Sequence, residues 1–480
     1  MPIMRNAKFL FLLPALLPFF LTVLIVSPAA RGAAPEKPHI VLFISDDHSW
    51  HDVGAYGATD VRTPNLDKLA GEGMKFEAAF AASPTCSPSR AAMFTGLYPM
   101  RNGAHANHSL IREGVRTLPQ YMKELGYRVV LAGKTHIGPR EQFPFEYLKN
   151  SNVMPPGKKH VLWTDLNTLA VDELLAAHDK AKPLCLIVAS HSPHVYWPDT
   201  KDYDPKKINV PPYLLDTPET RAARARYYGD VTHMDIQLGE VRASLERHGY
   251  AASTLFMFTA DQGAQFPFSK WNLYDAGIRV PLLVAWPGKV KAGTTTRAMV
   301  SLVDLLPTMM QAAGAAAPPG DLDGKSFLPV IRGETDRHDD ATFAVHTGDK
   351  DMNRTPMRSI RTERYKLILN LKPETRYTSH ISDAQGPDGK DYWASWERLA
   401  KADKHAAEVI QRYRQRPGEE FYDVAADPYE LKNLAGDPQH AKTLAELREK
   451  LKQWRLQQGE NLNKVPMPED ARHGEIPYAQ

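Results

Sequence analysis

Four short apolar runs stand out between residues 39 and 259, and each ends in a cluster of polar side chains. His39-Ile-Val-Leu-Phe-Ile44 leads into Ser45-Asp46-Asp47, and Arg128-Val-Val-Leu-Ala132 into Gly133-Lys134-Thr135-His136. Leu184-Cys-Leu-Ile-Val-Ala189 leads into Ser190-His191-Ser192-Pro193-His194, and Thr254-Leu-Phe-Met-Phe-Thr259 into Asp261-Gln262-Gly263. Runs this uniformly apolar predict central strands of a mostly parallel sheet, buried on both faces. Helical stretches over Thr117–Leu125, Asp165–Ala177 and Glu219–His248 separate them. The alternation predicts a doubly wound α/β domain. Ligands in such sheets bind beyond the carboxyl ends of the strands, so the four polar ends are expected to converge on one site.

Beyond the Ala- and Pro-rich segment 315–320 the pattern changes. Met357–Leu371 alternates charged and apolar residues, as antiparallel strands do, and Glu420–Val424 reads as another strand. His440–Gln457 places Leu444, Leu447, Leu451 and Trp454 three and four apart, the spacing of an amphipathic helix. The expectation is a large domain over 37–340 and a smaller α+β subdomain over 341–480, with an antiparallel sheet and a helix. Residues 372–418 carry no readable pattern.

At the N-terminus, Arg5 and Lys8 precede an apolar stretch from Phe9 to Val26, and small residues follow. This predicts a secretory signal peptide over 1–33 and a periplasmic or secreted protein. An uncleaved anchor is the alternative; Pro14, Pro18 and the small-residue run favour cleavage, after which no membrane segment remains. Residues 1–33 hold Arg5, Lys8 and Arg31 and no acids, so the remainder balances 56 basic against 56 acidic residues. With neither net charge nor a long basic run, a nucleic-acid binder is excluded. Any anionic substrate must be held by local groups. The only cysteines, Cys86 and Cys185, exclude a disulfide scaffold and a multi-cysteine zinc module. Cys185, inside an apolar run, reads as a small buried hydrophobe.

The segment Cys86-Ser87-Pro88-Ser89-Arg90 carries the most chemical information. Pro88 suits the first turn of a helix. Cys86 then lies at a helix N-terminus, where backbone N–H groups and the helix dipole favour an anion. Arg90, four residues on, shares that face. For a cysteine taken alone, a buried apolar role is the better reading. Asp46, Asp47, Asp261 and Gln262 offer hard oxygen donors suited to Ca²⁺ or Mg²⁺. Asp46-Asp47 taken alone reads as readily as a loop or cap; Asp261 at a second strand end favours the metal.

Cys86-x-Pro-x-Arg90 followed by Thr95-Gly96 resembles the signature of the type I sulfatase family, within the alkaline-phosphatase-like superfamily. Thr63-Pro-Asn-Leu-Asp-Lys-Leu-Ala70, Gly133-Lys-Thr-His136, Asp304-Leu-Leu-Pro-Thr308 and Phe421-Tyr-Asp-Val424 with Asp427-Pro428 are similar to further family segments. Within the family the likeness leans towards sulfamidases and bacterial polysaccharide sulfatases, on Asn272-Leu-Tyr274, Met357-Arg-Ser-Ile-Arg361 and Lys366–Leu371. The resemblance implies that 37–340 is the catalytic domain. It implies that Cys86 is oxidised to formylglycine (3-oxoalanine) by a formylglycine-generating enzyme. One hydroxyl of the aldehyde hydrate then attacks sulfur, and the other expels sulfate.

The remaining roles are implied in the same way. Ca²⁺, or Mg²⁺, would be held by Asp46, Asp47, Asp261, Gln262 and the modified Cys86. Gln262 stands where the family more often has Asn or His; it keeps a carbonyl donor on one more methylene. Arg90, Lys134 and Lys270 would neutralise the sulfate, with His136 and His194 as acid–base candidates. His191, His346 and Arg358 are the expected substrate contacts, His191 equally a packing residue and Arg358 equally an interdomain ion pair. The expected substrate is a sulfated sugar or polysaccharide, N-sulfo or O-sulfo. A phosphonate or phosphate monoester hydrolase and a non-catalytic glycan-binding relative are the alternatives. The second should have lost catalytic residues, and here the whole set is present.

Overall fold

The computed structural model describes residues 37–383 and 389–479; the expected signal peptide lies outside the described residues. Eleven strands belong to the first part of the chain: β1 (His39–Ser45), β2 (Met74–Phe80), β3 (Arg128–Gly133), β4 (Glu146–Tyr147), β5 (Asn152–Val153), β6 (Asp165–Leu166), β7 (Leu184–Ala189), β8 (Thr254–Ala260), β9 (Arg279–Ala285), β10 (Thr294–Thr296) and β11 (Val300–Ser301). The main sheet runs β10-β2-β9-β8-β1-β7-β3-β4, with β11 also on β2. The four strands expected from the apolar runs are its centre. β8, β1, β7, β3 and β4 are mutually parallel, and β9 runs against both β8 and β2. Four polar strand ends therefore emerge side by side at one edge.

β1, β7 and β8 are buried along their full length, and β3 is buried beyond its first residue, Arg128. Ile40, Leu42 and Ile44 share one face with Cys185, Ile187 and Met257, packed on Ala91, Met93, Phe94, Leu305 and Met309. Cys185 is thus a core side chain. Val41, Phe43, Leu186, Val188 and Phe258 point the other way, onto Met234, Leu238, Val241 and Leu245 of the helix Pro218–Arg247. Each such burial contributes about 1.5–3 kcal/mol, and the alternation fixes which residues the strands deliver to the edge.

The C-terminal part builds a second sheet, β12 (Ala341–His346), β13 (Met357–Thr362), β14 (Tyr365–Asn370) and β15 (Glu419–Asp423), antiparallel throughout. The helix Ala441–Gln457 lays Leu444, Leu447, Leu451 and Trp454 against Val345, Ile360, Leu367 and Phe421. The unpatterned stretch 372–418 contains the helices His380–Asp383, Lys390–Leu399 and Lys404–Arg414. Its aromatic residues Trp396 and Tyr413 join Phe268 and Tyr274 in a shared core, and Lys37–Gln480 forms a single compact unit. Among the described residues no helix is long and apolar enough to cross a membrane.

Candidate active site

The loops after β1 and β8 bring Asp46, Asp47 and Asp261 together, all without solvent exposure. Asp261 Oδ1 accepts from the Asp47 N–H at 3.1 Å and from the Gln262 N–H at 3.0 Å. Asp47 sits in left-handed backbone at φ 61°, which Asp tolerates better than most residues. The loop after β3 begins at Gly133, also at positive φ, where a Cβ would overlap the Ala189 carbonyl oxygen. That close approach aims Lys134 at the cluster.

Three buried cations answer the three carboxylates. Lys134 Nζ pairs with Asp46, Lys270 Nζ lies 2.7 Å from Asp47, and Arg90 Nε lies 2.9 Å from Asp261 with its Nη2 3.6 Å from Asp46. Burial alone would raise Asp46, but Lys134, His194 and Arg90 hold it well below the usual carboxylate range. Asp47 is raised by burial against the pull of Lys270. Burial, with the Asp46 charge adding to it, pushes Asp261 up to about 8. The trio is one coupled unit, each carboxylate paired with its own buried cation.

Cys86 opens the fully buried helix Cys86–Thr95, as the position of Pro88 predicts, and Gly96 closes it in left-handed backbone at φ 66°. Its Sγ lies 3.6 Å from Asp46, 3.8 Å from Asp47 and 3.1 Å from Gln262 Nε2. The helix N-terminus favours an anion there, yet burial and the two carboxylates outweigh it and push the thiol up, well beyond its ordinary value. The unmodified thiol stays protonated and is a poor nucleophile.

His194 Nδ1 donates to the Val195 carbonyl at 2.5 Å, which leaves Nε2, 3.6 Å from Asp47, with the lone pair. His136 sits at φ 50° with both ring nitrogens buried and unpartnered. Burial, then the neighbouring lysines, holds His194 well below its ordinary value; burial, then Lys134, does the same for His136. Both are neutral at pH 7. Cys86, His136, His194 and Lys270 open into a cavity of about 320 Å³, at the small end of the range for ligand sites.

The three expected substrate contacts are not on that cavity. His191 Nε2 is tied to Asn152 Oδ1 at 2.7 Å, and its ring packs 5.5 Å from Tyr478; it is the packing residue. His346 is buried at the end of β12 behind Trp271, 6.4 Å ring to ring. Arg358 is fully buried, with Nε paired to Glu460 and Nη1 donating to the His346 and Met357 carbonyls at 2.9 and 2.8 Å. Its place on β13 turns it inward, towards the segment after the helix Ala441–Gln457. It is a structural ion pair and not a substrate contact.

A family model described as Sulfatase matches residues 38–315, more than half of the chain. The chain belongs to the sulfatase family. A second model, N-sulphoglucosamine sulphohydrolase, C-terminal, matches 263–384. An ulvan-active sulfatase of Formosa agariphila is 32% identical over 438 residues, covering 90% of this chain and 82% of its own. The N-sulphoglucosamine sulphohydrolase of Homo sapiens is 29% identical over 480 residues, covering 88% and 91%. A protein solved in complex with its substrate D-glucosamine-2-N,6-O-disulfate shares the fold, with TM-score 0.66 and 21% identity over 89% of this chain and 99% of that one. The sulfatase is a sulfuric ester hydrolase, and its family implies a divalent cation and a formylglycine in general terms.

The site fits that cation. Gln262 turns its amide nitrogen to Asp47 Oδ1, 2.5 Å, and to Cys86, leaving Oε1 buried without a partner. Rotated by half a turn, which exchanges O and N, the carbonyl faces the carboxylates, a favourable arrangement only with a cation between them. Oxygen-bearing side chains dominate, as Ca²⁺ or Mg²⁺ prefers. Ligand atoms of Asp46, Cys86 and Asp261, and of Asp47, Cys86 and His194, fall within 4.8 Å of one another.

Sequence reasoning missed much of the sulfatase's cavity wall: Asn107, His108, Gln265, Trp271, Asp349, His380, Ile476 and Tyr478. Asn107-His108 follows the signature helix closely enough to have been noticed. Tyr478 carried no signal. The segment around it is pinned by the His136 N–H to the Pro477 carbonyl, 2.8 Å, and the Thr135 N–H to the Tyr478 carbonyl, 3.1 Å. Its ring covers Lys134 Nζ at 4.3 Å and packs against His136, His191 and His194.

Proposed function

We propose that this sulfatase releases sulfate from a terminal sugar of a sulfated glycan, with Cys86 matured to formylglycine by a formylglycine-generating enzyme. Ca²⁺ is held by Asp46, Asp47, Asp261 and Gln262 beside residue 86. The observation that carries the reading is the meeting of Cys86 with three buried carboxylates and three buried cations at one sheet edge.

The hydrated aldehyde would supply an oxygen nucleophile that the protonated thiol does not, and the divalent cation would add positive charge beside it. Arg90, Lys134 and Lys270 spread further positive charge over the sulfate oxygens in a water-poor pocket, where such charge acts strongly. His194, neutral with its lone pair on Nε2, is poised to hold and return a proton at the leaving atom. His136 closes the pocket floor with its polar atoms unspent. Tyr478 shields Lys134 from water.

N-sulfoglucosamine heads the substrate order, with O-sulfated sugars second. The span 263–384, which resembles an N-sulphoglucosamine sulphohydrolase C-terminal region, supplies Gln265, Lys270, Trp271, Asp349 and His380 to the cavity. We read 37–340 as the catalytic domain, 341–480 as the subdomain that completes its rim, and 1–33 as the signal that sends the enzyme to the periplasm or outside the cell. Sulfate release is to be measured on defined sulfated saccharides with enzyme co-expressed with a formylglycine-generating enzyme. Release from N-sulfoglucosamine supports the order given. Release from O-sulfated sugars alone reverses it, and release from no saccharide overturns the glycan assignment.

A further inference from the structure

The cavity holds a second constellation that takes no part in gripping sulfate. Asp349, on the turn between β12 and β13, is buried, its side chain only 7% exposed, and gathers three donors. His108 Nδ1 lies 2.8 Å from its Oδ1, and Asn107 Nδ2 and His380 Nε2 each lie 3.4 Å from its Oδ2. The turn that brings it in is tight, with Lys350 and Asn353 in left-handed backbone and Asp349 bridged to Met352. Trp271 stacks on His380 at 4.5 Å and 19°, itself at φ 70°, which is strain for so bulky a residue and clusters at functional sites.

The hydrogen bonds assign the tautomers. Asn353 Nδ2 donates to His380 Nδ1 at 3.2 Å, so His380 Nε2, 3.4 Å from Asp349 Oδ2, carries the ring proton. Burial holds His380 down to about 4, so it is neutral at pH 7. His108 Nδ1 lies 3.2 Å from Asn107 Nδ2 and 2.8 Å from Asp349 Oδ1; the shorter contact is to a carboxylate, which only accepts, so Nδ1 carries the proton. Its Nε2 has no hydrogen-bond partner among the described residues, and the side chain is 38% exposed on the cavity wall.

We infer that His108, held by Asp349 and its partners, is a second subsite that reads an uncharged hydrogen-bonding substituent, a free hydroxyl, of the sugar whose sulfate is removed. The inference rests on the saccharide reading above and narrows it to sugars without a second anion at that position. The charges decide this. With His108 neutral the unit carries −1, and with His108 protonated it carries 0; it is positive in neither state. A second sulfate or a uronate carboxylate placed there faces a buried carboxylate, and Lys270, the cation that acts on His380, is already paired with Asp47, whereas a hydroxyl donates to the Nε2 lone pair. The sulfate pocket, with Arg90, Lys134 and Lys270, has the opposite character, so one cavity has an anion end and an uncharged end. His108 is the contacting group and Asp349 a positioning residue.

The test uses the matured full-length enzyme and three probes: a monosulfated saccharide, its counterpart with a second sulfate in place of one free hydroxyl, and 4-nitrophenyl sulfate. The wild type is expected to prefer the monosulfated sugar by tenfold or more in kcat/KM for at least one such hydroxyl. Asp349→Asn is expected to raise KM for that sugar about tenfold, with a smaller change in kcat, and to shrink the preference; its loss on the aryl sulfate is several-fold smaller. His108→Gln, which keeps an acceptor, recovers more of the preference than His108→Ala. Equal turnover of mono- and disulfated sugars overturns the subsite and leaves the saccharide reading standing. So does an equal loss on saccharide and aryl sulfate in both Asp349→Asn and His108→Ala at unchanged thermal midpoint. Turnover of the aryl sulfate with none of any saccharide overturns both.

Discussion

The carboxyl edge of the parallel sheet and the rim above it are built from different parts of the chain and by different means. At the edge, Asp46, Lys134 and Asp261 sit within two residues of buried strands, and their positions follow from strand register. At the rim, Asp349, His380 and Tyr478 come from a turn, a four-residue helix and a C-terminal segment, held by a few side-chain and backbone hydrogen bonds and by ring contacts. The edge is charge-dense and wholly buried; the rim is mixed and partly exposed. In the proposed function the groups that bind any sulfate identically lie on a rigid frame, and those that choose among sugars lie on the rim, which can change without disturbing that frame.

The largest effect should come from the edge. Cys86→Ala is expected to lower sulfate release by about 10⁴-fold or more on every substrate, saccharide or aryl, since it removes the nucleophile itself. Its thermal midpoint should stay within a few degrees of the wild type, because Cys86 contributes no large apolar volume. A loss confined to saccharides would put residue 86 on the selecting side of the divide.

Next is the cation. Thorough chelation should lower activity by at least about 100-fold on both substrate types, and Ca²⁺ should restore it. A ligand at a hundred times its Kd stabilises the folded state by about 2.7 kcal/mol, so the thermal midpoint should rise with added Ca²⁺. Asp261→Asn should blunt that rise more than Gln262→Asn, since it removes a charge where the other keeps a carbonyl.

Arg358 tests the boundary between the regions. Arg358→Ala is expected to cost about 3 kcal/mol of stability by leaving Glu460 buried with only Arg455 beside it. Activity on saccharide and aryl sulfate should fall together, by a factor set by the folded fraction. A selective loss on the saccharide at full folding would return Arg358 to the rim.

The smallest effect concerns the loop that carries His194. Asp230 accepts from Ser192 Oγ at 3.0 Å, and burial pushes its carboxyl up to about 7. A carboxyl raised in the folded state costs no stability below about pH 4, where it is protonated in both states. The cost grows between about pH 4 and 7, where only the unfolded state is ionised, and levels off once the folded carboxyl ionises as well. Asp230→Asn should therefore flatten the decline in thermal midpoint between about pH 4 and 7 and gain on the order of 1–2 kcal/mol at pH 8. Denaturation curves at pH 5 and pH 8 check it, and an unchanged slope would remove Asp230 from the loop's pH response.

The same divide explains what was legible in the sequence. Strands β1, β3, β7 and β8 were readable because a strand buried on both faces must be continuously apolar, and the residues ending each had one edge to occupy. Trp454 and its helix were readable because periodicity survives without tertiary context. The helices within 372–418 were not: they are short, and their apolar residues serve a core shared with Phe268 and Tyr274 from far upstream. His346 and Arg358 were misplaced because a motif's distance along the chain does not say whether a strand turns a side chain towards the cavity or towards Glu460. Asp349 and Tyr478 lay in segments with no period at all, brought to the cavity by a left-handed turn and two backbone hydrogen bonds.

The central claim is that the sheet edge is a sulfatase centre completed by chemistry at residue 86. The most direct measurement is the mass of the peptide carrying residue 86, taken from enzyme that turns over an aryl sulfate and compared with enzyme made without the formylglycine-generating partner. The account predicts the cysteine-to-aldehyde loss in the active preparation, in proportion to its activity, and an intact cysteine in the inactive one. Full activity from enzyme whose residue 86 is entirely cysteine would contradict it, because a buried thiol held protonated between two carboxylates would then be doing what this account assigns to the aldehyde.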